Sequence, residues 1–169
     1  MKIMDLEFVE APKEFKKLPP DGYVCKITDV EDNPSSEKLN ITYEIAEGPW
    51  KNYYSDDWGK RNKWAHTHSQ SYKDGYAIGY FKKMLEAIEA SNDGFTIADW
   101  QKRSDENELK DLKVGIIFQE REYIGNDGKD RVALDAAMFV PVEDIRNGNF
   151  EKLERKKLDR SANDDFMPF

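Results

Sequence analysis

The chain has a single cysteine, Cys25, among 169 residues. One thiol can neither close an internal disulfide nor assemble a cysteine-rich zinc site, and its place in a strand-like run reads as a buried structural group. No apolar run reaches the roughly 18 residues that a membrane-spanning helix needs. Met1 to Glu10 alternates charged with apolar residues, whereas a signal peptide is continuously apolar, so a soluble, unexported protein is expected. No glycine- or proline-rich stretch of linker length divides the chain, and its length suits one domain. Walker, nucleophile-elbow and dinucleotide-binding patterns are all missing. Their absence favours binding over catalysis, with no cofactor.

Apolar residues make up 38% of the chain and charged residues 36%. Four tryptophans, eight tyrosines and nine phenylalanines nevertheless supply enough bulk for a small core. The net charge of −8 opposes a polyanionic ligand if it is spread evenly, because phosphate contacts depend on Lys and Arg. How the charge is distributed therefore matters more than its sum.

Hydrophobic periodicity organises the chain. A Pro-Pro-Asp-Gly turn at Pro19–Gly22 leads into a first strand around Tyr23, Cys25 and Ile27, which alternate with Val24, Lys26 and Thr28. After the polar stretch Asn33–Ser36, Leu39, Ile41, Tyr43 and Ile45 recur at period two as strand two. Trp50–Trp58, following Gly48-Pro49, is rich in Tyr and Trp and is expected as strand three. Ile78, Phe81, Leu85 and Ile88 fall at helical spacing, with Lys82, Lys83, Glu86 and Glu89 on the other side. Thr96 is placed to cap a short second helix, with Asp99 three residues on. Val114–Ile124 and Arg131–Val140 are strand-like runs joined by Gly125–Lys129, where Asp-Gly marks a hairpin. Phe150–Arg160 reads as charged and helix-like.

Three strands, a helix and two strands is the order of an OB-fold. The expected class is thus mainly β with helices (α+β): a five-stranded Greek-key barrel with a helical segment inserted between strands three and four. Residues 1–18 would be an N-terminal extension, 19–149 the OB-fold domain and 150–169 a tail.

The charge is indeed uneven. Pro49–Lys83 holds nine aromatics (Trp50, Tyr53, Tyr54, Trp58, Trp64, Tyr72, Tyr76, Tyr80 and Phe81) and three of the four tryptophans. It carries seven basic residues, Lys51, Lys60, Arg61, Lys63, Lys73, Lys82 and Lys83, against Asp56, Asp57 and Asp74. This net of +4 leaves −12 for the remainder. A single nucleic-acid strand offers unstacked bases and regularly spaced phosphates, so its receptor needs flat aromatic faces interleaved with cations. Tyr80 and Phe81 lie on the helix and read as core. Trp58 and Trp64 do not, since a core rarely keeps Gly-Lys-Arg-Asn-Lys between its tryptophans. Arg121, Tyr123, Lys129 and Arg131 surround the last hairpin, where an OB-fold wraps a loop over its ligand. An ordinary charged hairpin is the competing reading.

Two other constellations have a formal resemblance to known sites. His66 and His68, with Asp56 and Asp57, can be drawn as a metal centre for phosphodiester hydrolysis, although i and i+2 share a face only in a strand. Gly125-Asn126-Asp127-Gly128 matches the GXXG pattern of KH domains, but that loop needs flanking helices.

The chain ends Asn163-Asp164-Asp165-Phe166-Met167-Pro168-Phe169. This resembles the acidic tip, Asp-Asp-Asp-Ile-Pro-Phe, of bacterial single-stranded-DNA-binding proteins. From Leu18 to Asn149 the body is more similar to the divergent bacteriophage-encoded members, without a sharp motif. The resemblance implies an OB-fold that holds single-stranded DNA in the host cytoplasm during replication, recombination or repair, and admits a homo-oligomer. By the same resemblance Asp164, Asp165, Phe166, Met167, Pro168 and Phe169 would recruit partner proteins, the carboxylates seeking basic residues and Phe169 an apolar pocket. Two features depart from the family: the tip has only two aspartates, and Phe150–Arg160 replaces a long flexible linker. The rival readings are a recombination mediator or annealing protein and a metal-dependent nuclease.

Overall fold

The computed structural model describes residues 1–9 and 16–158. It is α+β, with few helices and a five-stranded antiparallel open sheet whose strands lie in the order β3 (Thr67–Ser71), β2 (Lys38–Ile45), β1 (Gly22–Asn33), β4 (Lys113–Ile124) and β5 (Asp130–Val140). Strands β1 (Gly22–Asn33), β2 (Lys38–Ile45), β4 (Lys113–Ile124) and β5 (Asp130–Val140) lie where alternation expects them. β1 keeps its apolar residues inward despite an irregular pattern, because a bulge between Ile27 and Asp29 resets the register so that both Ile27 and Val30 are buried. The β4–β5 hairpin turns through Gly128, whose φ of 78° is the left-handed conformation that glycine adopts without steric cost.

Helix α2 (Tyr76–Ser91) follows β3 and buries Met84, Leu85, Ala87 and Ile88. With Tyr43, Ile41, Ile45, Ile116 and Phe118 of the sheet they form the core. Ile78 and Tyr80 were expected in the core but are exposed; half-buried Ala77 takes the inward position of that turn, while Phe81 packs on the core as expected. Helix α3 (Ile97–Trp100) is capped by Thr96, whose hydroxyl accepts from the Asp99 amide at 3.3 Å. Cys25 is fully buried, which pushes its thiol pKa well up.

Two expectations are corrected. Trp50–Trp58 is a series of turns running into α1 (Asp57–Arg61), and strand three, β3, is Thr67–Ser71. Asn52 takes a φ of 64°, incompatible with a strand. From β2, Glu44 accepts hydrogen bonds from the Tyr54 amide at 3.0 Å and the Ser55 hydroxyl at 2.9 Å, which locks the turn. Phe150–Leu158 is not helical. Lys156 makes a parallel bridge to Arg121 of β4, donating its amide to the Glu120 carbonyl and accepting from the Glu122 amide. β1 pairs with β4 only as far as Ile117, so the outer half of β4 offers unpaired backbone groups that this segment satisfies. Arg155 adds a 3.2 Å contact to Glu120. Short helix α4 (Val142–Arg146) precedes it.

Among the described residues no ladder joins β3 to β5, and none of the helices is long and apolar enough to cross a membrane. The two free edges nevertheless face each other, His68 of β3 lying 5.0 Å from the Phe139 ring of β5.

Candidate functional site

Between the turns after β2 and the β4–β5 hairpin lies an open groove of about 600 Å³. It is lined by Tyr53, Trp58 and Trp64 on one side of the sequence and by Arg121, Tyr123 and Asp135 on the other, with Lys17 from the N-terminal segment.

Local chemistry positions the two indoles. Asp56 caps α1 by accepting from the Gly59 amide at 2.8 Å. Asp57 in the first turn and Lys60 and Arg61 in the last match the helix dipole. Gly59 presses its Cα against the Tyr54 carbonyl, so closely that a Cβ there would stand 2.0 Å from the oxygen. A 3-10 turn, Lys63–His66, then carries Trp64. His66 holds this unit to β2, its two ring nitrogens each 2.9 Å from a backbone carbonyl oxygen, of Tyr43 and of Gly59. Its ring stacks on Tyr54 at 4.6 Å, nearly parallel. As a result Trp64 stands 71% exposed and Trp58 38% exposed.

The expected site residues separate into groups. Tyr53, Trp58, Trp64, Arg121 and Tyr123 come together in the groove. Tyr54 borders it too, but it is only 5% exposed and its ring is taken up by His66 and Tyr43. It is a core residue with no free face to offer. Trp50 is half-buried and packs edge-on against Tyr53, beside exposed Lys51. Lys60 and Arg61 are exposed on α1, one turn from Trp58, while Lys63 pairs with Asp29 at 3.2 Å. Lys73 is exposed before α2, away from the groove lining. Lys129 is exposed at the hairpin tip, and Arg131 pairs with Asp127 at 2.6 Å. Asp164, Asp165, Phe166, Met167, Pro168 and Phe169 lie outside the described residues.

Sequence reasoning missed Lys17 and Asp135. Tyr53 brings the first in, its hydroxyl donating to the Lys16 carbonyl at 2.9 Å and accepting from the Leu18 amide at 3.3 Å. The Lys16-Lys17 pair before Pro19-Pro20 was the available signal. Asp135 holds Arg121 at 2.7 Å, and the guanidinium lies 5.4 Å from the Tyr123 ring centre. This half-exposed pair is worth about 0–1 kcal/mol. Arg121 thus lies over an aromatic face with its charge already met by Asp135.

The drawn metal centre does not assemble. Asp56 is a helix cap, both nitrogens of His66 face carbonyl oxygens, and His68 bonds Gln70 at 3.0 Å. Among the described residues no three His, Cys, Asp or Glu side chains cluster closely enough to hold a metal ion.

Burial against Phe139 lowers the His68 pKa from its ordinary value, with the Gln70 hydrogen bond and Asp135 opposing. The unfolded chain then takes up this proton first. Stability is expected to be complete above about pH 6.5 and to decline as pH falls from there to the lower folded pKa. Glu47, held low by its hydrogen bond to Arg146, contributes a separate loss only below about pH 4.5. Urea unfolding at about pH 7.5 and 5.5 should resolve the first loss, and His68→Gln should flatten it. A slope unchanged in the variant would assign the effect elsewhere.

No protein-family model matches the chain, and no curated protein matches it.

Proposed function

We propose that the chain binds single-stranded DNA with little sequence preference, through an OB-type fold whose sheet curls into a five-stranded Greek-key barrel. The antiparallel order β3-β2-β1-β4-β5 and the approach of His68 to Phe139 support this fold. The observation that carries the function is the groove: exposed Trp64 and Trp58, with Tyr53 and Tyr123, share one recess with Arg121 and Lys17, whose charges are met there by Glu120 and Asp135, so the rings rather than a net positive charge distinguish it. Every base has a π-face, so stacking holds a strand without reading its sequence, while the cations neutralise its backbone. Residues 19–149 form the binding domain in this reading. The resemblance of the ending to bacterial single-stranded-DNA-binding proteins adds a role in replication, recombination or repair in the host cytoplasm, with Asp164–Phe169 recruiting partners.

A salt titration tests the binding reading. Single-stranded DNA should quench tryptophan fluorescence, with a log–log salt slope of about −0.7 per phosphate neutralised. Replacing Lys17, Lys60 and Arg61 by alanine together should flatten that slope by up to about 2. Absence of quenching at saturating DNA, or equal affinity for duplex, would sink the reading. Deleting Asp164–Phe169 should leave this affinity unchanged or slightly higher, because its aspartates repel phosphate, while capture of replication or repair proteins is lost. A parallel loss of DNA affinity would make the tip part of the binding fold.

A further inference from the structure

Tyr76 and Tyr80 stand one turn apart at the start of α2, 88% and 59% exposed, with rings stacked at 6.4 Å and 27°. A helix packed on a sheet ordinarily turns its large aromatics inward, as α2 does with Phe81, because each ring left in water forgoes burial. Lys73, Lys82 and Lys83 flank the pair in sequence, with Asp74 among them. Tyr80 and Lys83 also line a groove of about 490 Å³ with Met84, His68, Met138 and Phe139. A smaller recess of about 340 Å³ lies next along β5, lined by Leu134, Asp135 and Ala136. It shares Trp64, Leu134 and Asp135 with the tryptophan groove and His68 with the α2 groove. The three thus follow one another along β5, with linings at Val132–Asp135, Leu134–Ala136 and Ala137–Val140.

We infer that a single strand held at Trp58 and Trp64 continues along the seam between β3 and β5 and stacks further bases on the Tyr76–Tyr80 platform. Lys83, which lines the α2 groove with Tyr80, then meets its phosphates. This rests on the proposed binding of single-stranded DNA. Glu86 shares the α2 lining with Lys83, so base stacking rather than net charge carries this part of the path. The tryptophan groove begins at Val132 and the α2 groove reaches Val140. That stretch of β5 spans about 26 Å at roughly 3.3 Å per residue. It accommodates up to about eight nucleotides at a stacked spacing of 3.4 Å, within the roughly 4–16 that one OB-fold takes.

Fluorescence anisotropy with labelled oligothymidylates of about five and about twelve nucleotides tests the extension. In full-length Tyr76→Ala/Tyr80→Ala protein, affinity for the longer oligomer should fall at least about fivefold, the loss for one base stack, and that for the shorter one should hold within about twofold. Lys83→Gln, which leaves both rings in place, should lower the salt slope for the longer oligomer alone by about 0.7. Wild-type affinity for the longer oligomer in both variants, or an equal loss at both lengths, overturns the inference. Failure of the underlying reading looks different: the unmodified protein would then bind neither oligomer.

Discussion

Trp64→Ala is expected to weaken single-stranded-DNA binding by about 5- to 150-fold, the range of roughly 1 to 3 kcal/mol for one base stack. The melting temperature should stay nearly unmoved. The two halves of this expectation have one cause. Trp64 projects from the 3-10 turn Lys63–His66 and is 71% exposed, so alanine removes little buried surface. Surface replacements of that kind usually stay within about 0.5 kcal/mol of wild type. The same indole lines both the main groove and the next recess along β5, so a strand following the seam must pass it. Trp58→Ala should also weaken binding, with a larger cost in stability, because only 38% of that residue is exposed. Anisotropy titration and thermal unfolding of the same samples decide the matter. A lowered melting temperature with unchanged affinity would make Trp64 a structural cover for the seam.

Gly59→Ala should cost about 1–3 kcal/mol of stability, the usual range for overpacking. At about 2–4 °C per kcal/mol in a chain of this size, the melting temperature should drop by roughly 2–12 °C. Helix propensity alone argues the opposite, since alanine is favoured over glycine inside a helix by about 1 kcal/mol. The decisive contact is not local to α1. A Cβ on Gly59 would meet the Tyr54 carbonyl oxygen at 2.0 Å and its carbon at 2.5 Å, and both atoms belong to a backbone held by Glu44. α1 has to move away, breaking the contact between His66 and the Gly59 carbonyl and shifting Trp58. DNA affinity should therefore fall together with stability. Gly79→Ala is the control. Nothing lies within 4 Å of a Cβ on Gly79, in α2, so there alanine should stabilise by up to about 1 kcal/mol. Equal behaviour of the two variants in thermal unfolding would refute the steric argument.

The failed strand three explains what alternation can and cannot reveal. Trp50–Trp58 has the aromatic composition of a strand, yet its conformation is decided by Glu44, several residues earlier on β2, and by the left-handed backbone at Asn52. β3, Thr-His-Ser-Gln-Ser, has no apolar alternation at all. It is a strand because the free edge of β2, from Lys38 to Thr42, supplies its hydrogen bonds. Phe150–Leu158 has helix-like composition but extends, because β4 outruns β1 and leaves backbone groups to be paired. Each of these outcomes is set by a partner distant in sequence, and a local pattern contains no information about it.

By itself the sequence determined the four long strands and α2, since burying an apolar face imposes a period of two or of 3.6 on the residues that supply it. It also located the aromatic and basic stretch of the candidate site, because composition is a local property. Only the tertiary structure decided which rings are available. Tyr54 and Trp64 look equivalent in sequence, but Tyr54 is buried against His66 while Trp64 faces the groove. Tertiary packing likewise brought Lys17 into the groove that Trp58 lines and set Asp135 against Arg121. The physical reason is that a groove is a relation among surfaces: its residues come from four separate parts of the chain, and the order of residues along a chain does not encode which surfaces will meet.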